Sequence, residues 1–425
     1  MREKEISESI KELRGEAVKL SLLSDEERTN MLLIMAKALK DNKDKIISAN
    51  NKDLERAKGE GTSESLLHRL ELNEKKLSAA IESVLSVASL PSPLGKVKER
   101  RLLDEGLILE KVTFPLGVIG MIFEARPDAL IQIISLSLKS GNGIVLKGGK
   151  EASESNRELF NIISEALNGA PWALLLESHE DVERMLKAEG DIDLLIPRGS
   201  NQFVRYVMEH THIPVMGHAD GICSVYIDSK ADLDKALFVA VDSKVQYPAA
   251  CNAAETILVH ESIATSFLPR YKALLDKYHC TIYGDAKCRT IIDVPLATEA
   301  DFHKEFLALK VAIKVVSSLD EAIEHIAQHS SHHTDAIVTE DIKAKERFFS
   351  EVDSADVFCN ASTRFADGFR FGLGAEVGIS TSKLHARGPV GLEGLTTTKW
   401  ELSGTGNTVA PYVLGERHFI HKELL

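Results

Sequence analysis

The stretch "VQYPAACNAAETILVH", residues 245–260, holds a cysteine in a setting that suits covalent chemistry. A buried free cysteine is ordinarily an inert small hydrophobe. Cys251 differs in its neighbours: Pro248 fixes a backbone angle, Ala249 and Ala250 leave the approach uncrowded, and Asn252 and Glu255 suit a turn and the start of the next element. A thiolate on such a turn can attack a carbonyl carbon, its own backbone N–H helping to hold the developing oxyanion. Cys223, Cys280, Cys288 and Cys359 lack that setting.

Three further groups of residues invite a chemical reading. No G-x-G-x-x-G occurs, but "VLKGGKEASESN" and "IPRGSNQF" each follow an apolar run. They put Lys147, Lys150, Gly199 and Ser200 at the carboxyl ends of expected strands, where open α/β sheets bind ligands. Ordinary βα turns with solvated lysines fit the same residues equally well. In "HIAQHSSHH", His325 and His329 are spaced as a metal pair on a helix, but no Glu follows the first as in H-E-x-x-H and no third ligand is evident. Solvated surface histidines and no metal are therefore expected. The segment 360–400 combines many glycines with Arg364, Arg370 and Arg387, a composition suited to gripping small anions, and its Phe365, Phe369, Phe371 and Leu373 favour packed structure over a flexible linker.

The elements that must position these residues follow from periodicity. Residues 1 to about 95 read as helices; Ser24 and Glu27 have capping-box spacing, and Met31, Ile34, Met35, Ala38 and Leu39 are expected along one face. "SLPSPLG" ends the helices, and in the charged stretch after it Leu107, Ile108 and Leu109 suggest an edge strand. From Gly117 short apolar runs alternate with helix-length segments, the pattern of βαβ units on a parallel sheet. "GVIGMIF", "GIVLKG", "WALLLES", "DIDLLIPRG" and "IPVMG" are the strand candidates, with "DALIQIISLSLKSG" and "EASESNRELFNIISEAL" as helices. A second region begins near "CSVYIDSKADLDKALFVAVDS", and the Thr- and Val-rich tail reads as strands that lack a partner surface.

Bulk properties narrow the function classes. The chain has 425 residues, enough for two or three domains, and 44% of them are hydrophobic. A formal net charge of −13 argues against nucleic acid as a partner. No apolar run approaches the roughly 18 residues a membrane span needs, and the first residues show no secretory signal, so a cytoplasmic location is expected. Five cysteines without a C-x-x-C pair fit free thiols better than disulfides or structural zinc.

Several longer runs are more specific: "PLGVIGMIFEARPD", "LKSGNGIVLKGG", "IDLLIPRGSNQFVR", "IPVMGHADGICSVYID", "YPAACNAAETILVH", "SSHHTDAIVTED", "VDSADVFCNASTRFADGFRFGLGAEVGIS" and "HARGPVGLEGL". Through them the chain resembles the gamma-glutamyl phosphate reductase family of the aldehyde dehydrogenase superfamily. That resemblance implies an α/β fold with a Rossmann-like NADPH-binding domain (1–97 and 114–223), a smaller α/β catalytic domain (224–397) and a β oligomerisation flap (98–113 and 398–425). It implies reduction of L-glutamyl 5-phosphate by NADPH to glutamate 5-semialdehyde and phosphate, a step of proline biosynthesis, in a homo-oligomer to which a glutamate 5-kinase could dock. Cys251 matches the family's nucleophile, expected to form a thioester. Lys147 matches the lysine at the adenosine ribose, and Lys150 stands where NAD-dependent members carry an acid, which favours the 2′-phosphate of NADPH. Gly199 and Ser200 match the pyrophosphate helix and Glu305 the glutamate at the nicotinamide ribose. Glu124, Arg126, Arg364 and Arg387 are the expected substrate contacts. Where the superfamily has an oxyanion Asn this chain has Arg126, and "MGHADG" lacks the glutamate that activates water, as suits a reductase that protects its thioester from hydrolysis.

Overall fold

The computed structural model describes residues 3–178, 180–217 and 220–425. They form two compact units: residues 1–216, 373–377 and 390–425, and residues 217–372 and 378–389.

The N-terminal helices of the first unit begin as their caps dictate. Ser24 Oγ accepts the Glu27 N–H at 3.2 Å and a Glu27 carboxylate oxygen accepts the Ser24 N–H at 2.7 Å, which starts the helix Asp25–Asp41. Its buried stripe is Leu32, Met35, Ala36 and Leu39; Ile34, expected on that face, is 47% exposed. Runs such as "NMLLIMAKAL" are apolar nearly all round, so periodicity alone left the rotation of the stripe open, and packing against the helix Glu74–Ser89 decides it.

The strands of this unit are β1 (Val97–Asp104), β2 (Leu107–Pro115), β3 (Val118–Phe123), β4 (Gly143–Gly148), β5 (Ala173–Leu176) and β6 (Leu194–Arg198). β3 to β6 make a parallel four-stranded sheet in the order β5-β4-β3-β6. Every residue of β3 and β4 is buried, because helices cover both faces, and their sequences are correspondingly apolar without alternation. "IPVMG" is not a further strand: Val215 makes one bridge to Leu195, and Pro214, which has no N–H, cannot extend the ladder. The charged stretch before Gly117 holds two strands rather than one edge. Glu99 lies opposite Lys111 and Arg100 opposite Glu110, with ion pairs of 2.9 and 3.1 Å, so the charges of the segment are its cross-strand partners. Thr396–Ser403 pairs with β2 and Lys422–Glu423 with β1, completing an antiparallel four-stranded sheet.

The second unit is built on a parallel six-stranded sheet: β7 (Cys223–Ile227), β8 (Ala254–His260), β9 (Thr281–Gly284), β10 (Lys310–Val316), β11 (Thr334–Val338) and β12 (Asp356–Cys359), in the order β12-β11-β7-β8-β10-β9. Apolar residues of β7, β8 and β10 pack under the helices Leu233–Val245 and Glu261–Asp276, with Phe267 and Tyr271 fully buried between them. Cys251 lies in the turn that joins the first of these helices to β8.

His325 and His329 are not solvated. They are 2% and 7% exposed, because the helix Leu319–His329 packs its last turn beneath Phe302, whose ring meets His325 edge-on at 5.1 Å. Phe302 is remote in sequence, so helical spacing gave no sign of the cover.

Close backbone approach is required at Gly143, the first residue of β4. A Cβ there would lie 2.8 Å from both Ala17 Cβ and Leu13 Cδ2 of the helix Glu3–Leu22. Gly143→Val is therefore expected to push that helix off the sheet and to lower stability by about 1–3 kcal/mol. A fall in the urea midpoint of the first unit's transition measures it; an unchanged midpoint would contradict the packing described.

Candidate active site

In the second unit Cys251 is partly exposed, in contrast to the buried thiols of Cys223, Cys280 and Cys288. Its turn is held by its own backbone, Ala250 N–H donating to the Tyr247 carbonyl and Ala253 N–H to that of Ala250. Asn252 is buried and donates from its amide to the Ala366 carbonyl at 2.6 Å. Beneath the turn the Cys223 thiol donates to the Cys251 carbonyl at 3.3 Å.

Two of the expected site residues meet this turn. Arg364, 8% exposed, donates from Nε to Gln246 Oε1 at 2.9 Å and lies over the Tyr247 ring at 5.8 Å. Burial lowers the pKa of its guanidinium, the neighbouring Arg370 adds to that, and the Cys251 thiolate pulls it back up. Glu305 approaches from the loop before β10. Gly221 is wedged between them: a Cβ there would lie 2.2 Å from the Cys251 carbonyl oxygen and 2.6 Å from Glu305 Oε1. Arg387 is engaged elsewhere in the unit, donating to the carbonyl and carboxylate of Asp353 at 3.1 and 3.0 Å. In "MGHADG", expected to lack the hydrolytic glutamate, His218 and Ala219 lie outside the described residues.

Charged residues that the sequence reading did not single out for chemistry sit below the turn. Lys244 Nζ and Glu255 Oε2 are 2.6 Å apart with no side-chain exposure. Glu255 Oε1 accepts the Leu307 N–H at 3.3 Å. Burial pushes the Glu255 carboxyl up to about 7, against the downward pull of Lys244. A charged residue inside "AETILVH", the run that forms β8, was the available signal.

The first unit gathers the other candidates at the carboxyl ends of its parallel strands. Lys147 is the penultimate residue of β4 and is 6% exposed; burial lowers its pKa while Asp181, Glu151 and Glu177 raise it. Lys150 opens a short 3-10 helix. Next to them a pocket lined by Gly148, Gly149, Leu176 and Glu177 includes Asn156, whose amide oxygen and nitrogen are both buried without a hydrogen-bond partner among the described residues. At the end of β6 the helix Asn201–Glu209 begins after Gly199 and Ser200, and the Ser200 N–H donates to Glu124 Oε2 at 2.9 Å. A carboxylate thus stands where a phosphate would be favoured, at a helix N-terminus. Arg126 is paired with Asp128 at 3.0 Å.

Glu299, His303 and His329 place ligand-type atoms within 4.8 Å of one another. His329 Nε2 and Glu299 Oε1 are already hydrogen-bonded at 2.6 Å, so the buried imidazole and the carboxylate satisfy each other.

Thiol reactivity tests this geometry. Burial raises the Cys223 thiol well above its usual range, Cys280 to about 11 and Cys288 to about 12. Since the thiolate is the nucleophile, iodoacetamide at pH 8 is expected to modify Cys251 well ahead of these three, as peptide mass spectrometry would read out. Gly221→Ala, by displacing the Cys251 backbone, should change that rate at least several-fold; an unaltered rate would mean that the contact is not as described.

Comparison with known proteins identifies the family and the fold. The sequence model of the aldehyde dehydrogenase family matches residues 1–304. Gamma-glutamyl phosphate reductase of Ruminiclostridium cellulolyticum is 52% identical over 423 residues, 98% of each chain. The crystal structure of gamma-glutamyl phosphate reductase from Thermotoga maritima superposes with a TM-score of 0.92 at 39% identity, covering 94% of this chain and 99% of that one. Glyceraldehyde-3-phosphate dehydrogenase GapN from Methanocaldococcus jannaschii, complexed with NADP, shares the fold at a TM-score of 0.68 and 17% identity, covering 95% of each chain. With half of its residues identical along nearly its whole length to a named reductase, the chain belongs to the gamma-glutamyl phosphate reductases, oxidoreductases of the aldehyde dehydrogenase family.

Proposed function

We propose that the protein reduces L-glutamyl 5-phosphate to L-glutamate 5-semialdehyde and phosphate with NADPH, through a thioester on Cys251. The observation that carries this reading is the placement of Cys251: a partly exposed thiol on a rigid turn, with the buried guanidinium of Arg364 electrostatically coupled to it.

The Cys251 thiolate attacks the 5-acyl carbon, the bond from that carbon to the phosphate oxygen breaks, and phosphate leaves with its electron pair. Arg364, with Arg370 beside it, offers fixed positive charge for the acyl phosphate and the departing phosphate. The Cys251 N–H, which has no hydrogen-bond partner among the described residues, is available to the developing oxyanion. Bound NADPH supplies the hydride that reduces the thioester carbon. Collapse of the thiohemiacetal breaks the C–S bond, releases the aldehyde and returns the Cys251 thiolate.

The first unit's residues suit a nicotinamide dinucleotide. Glu124 at the N-terminus of helix 201–209 stands in for a phosphate, and the unpartnered amide of Asn156 fits a hydrogen-bonding ligand in its pocket. Lys147 and Lys150 would hold the adenosine ribose, with Lys150 favouring the 2′-phosphate; Glu177 in the same pocket is bound by Arg157 at 2.8 Å, which offsets its charge. Gly199 and Ser200 would hold the pyrophosphate and Glu305 the nicotinamide ribose. Arg126 and Arg387 remain proposed substrate contacts, Arg387 only on release from Asp353. Trp400, Leu402, Val413 and Leu414 are at least half exposed on the C-terminal segment, which supports a homo-oligomer in which a second copy covers them. The lability of an acyl phosphate in water makes the kinase that forms it a plausible docking partner.

Purified protein given glutamate 5-semialdehyde and NADP should reduce NADP only when inorganic phosphate is present, and Cys251→Ala should lower the rate by at least about 1000-fold. Turnover without phosphate would point to a hydrolysing dehydrogenase, and turnover in the Cys251 variant would move the chemistry to another residue. Lys150→Glu is expected to shift the kcat/KM ratio from NADP toward NAD by about 10- to 100-fold, the worth of one charge-assisted hydrogen bond; an unchanged ratio would remove Lys150 from cofactor selection.

A further inference from the structure

We infer that the sealed Lys244–Glu255 ion pair is a positioning element for Cys251, tying both ends of the nucleophile's turn and the Glu305 loop to one buried point. The inference rests on the reading of Cys251 as nucleophile. Lys244 sits in the last turn of helix 233–245 and Glu255 is the second residue of β8, so the pair closes the base of the turn that carries Cys251. Both carboxylate oxygens are committed. Oε2 accepts from Lys244 at 2.6 Å, and Oε1 accepts from Leu307, two residues beyond Glu305. Leu307 has φ of +51°, a conformation that an L-residue holds only when its surroundings impose it. Gly221 lies so close to both the Cys251 backbone and the Glu305 carboxylate that a Cβ there would overlap each, which places the two segments side by side.

Stability alone does not account for such a pair. Apolar residues of similar volume commonly replace a buried ion pair without loss, so the role inferred for this one lies in the position and direction it imposes on the segments it joins. Lys244, Glu305, Cys223 and Cys280 are the charged and titratable groups that face Glu255 or sense its charge. With the carboxyl raised to about 7, the charged pair is complete above that pH and is lost as the carboxyl protonates below it.

The test compares Glu255→Gln, Lys244→Met and the double variant Lys244→Met/Glu255→Leu with the wild type. Thermal unfolding, kcat and KM for phosphate-dependent NADP reduction, and the pH profile of Cys251 alkylation are measured on each. The single variants are expected to lose at least tenfold in kcat with KM for NADP within twofold. The double variant should regain the wild-type unfolding temperature without regaining kcat. The wild-type alkylation profile should carry an inflection near pH 7 that Glu255→Gln lacks. If the single variants do not fold, the double variant decides. Wild-type kcat and alkylation in the apolar double, or in Glu255→Gln, overturn the inference. Cys251→Ala run alongside separates the failures: its full activity would sink the nucleophile reading, whereas its inactivity beside a fully active double variant would sink the positioning role alone.

Discussion

An ammonium and a carboxylate without exposed surface, Lys244 Nζ and Glu255 Oε2, meet 2.6 Å apart under the turn that presents Cys251. Removing both from water costs several kcal/mol per ion, and their attraction offsets this only when geometry is good and the remaining lone pairs are satisfied. Here the second carboxylate oxygen finds the Leu307 N–H. Breaking one partner of such a pair typically costs about 3–5 kcal/mol, so the segments around it cannot move independently. The turn that holds Cys251, the loop that holds Glu305, and Gly221 between them inherit their positions from that constraint.

The first unit meets a different electrostatic demand. Parallel strands direct their carboxyl ends, and the N-termini of the helices that follow, toward one edge of the sheet, where backbone N–H groups face outward unsatisfied. At helix 201–209 the Glu124 carboxylate answers that demand through Ser200. At the end of β4 the lysine is buried and held among three acids, Asp181, Glu151 and Glu177. An edge that collects anions on N–H groups and lysine together suits a dinucleotide, although no G-x-G-x-x-G marks it in the sequence.

Much of the architecture was readable because local chemistry and global fold agree. The capping box at Ser24, the continuous apolar strands β3 and β4 and the proline break after helix 74–89 each announced themselves within a few residues. What escaped depends on partners far along the chain. The charged strand β1 needed β2 opposite it before its alternating charges became ion pairs. The histidines of helix 319–329 needed Phe302 above them before they became buried. The Pro214 segment looked like a strand by its apolar residues, and a missing N–H reduced it to one bridge.

The sequence by itself determined the parallel-sheet class and the family and singled out Cys251 among the five cysteines, because these rest on residue identity and short-range periodicity, which survive without coordinates. It could name Arg364 and Arg387 together, but it could not tell them apart. Only the tertiary structure set Arg364 against the Cys251 turn through Gln246 and Tyr247 while tying Arg387 to Asp353. It alone made Lys244 and Glu255 a pair. The reason is physical: the energy of a charge depends on its distance to other charges and to water, and those distances are fixed by chain segments meeting in space, not by their spacing along the chain.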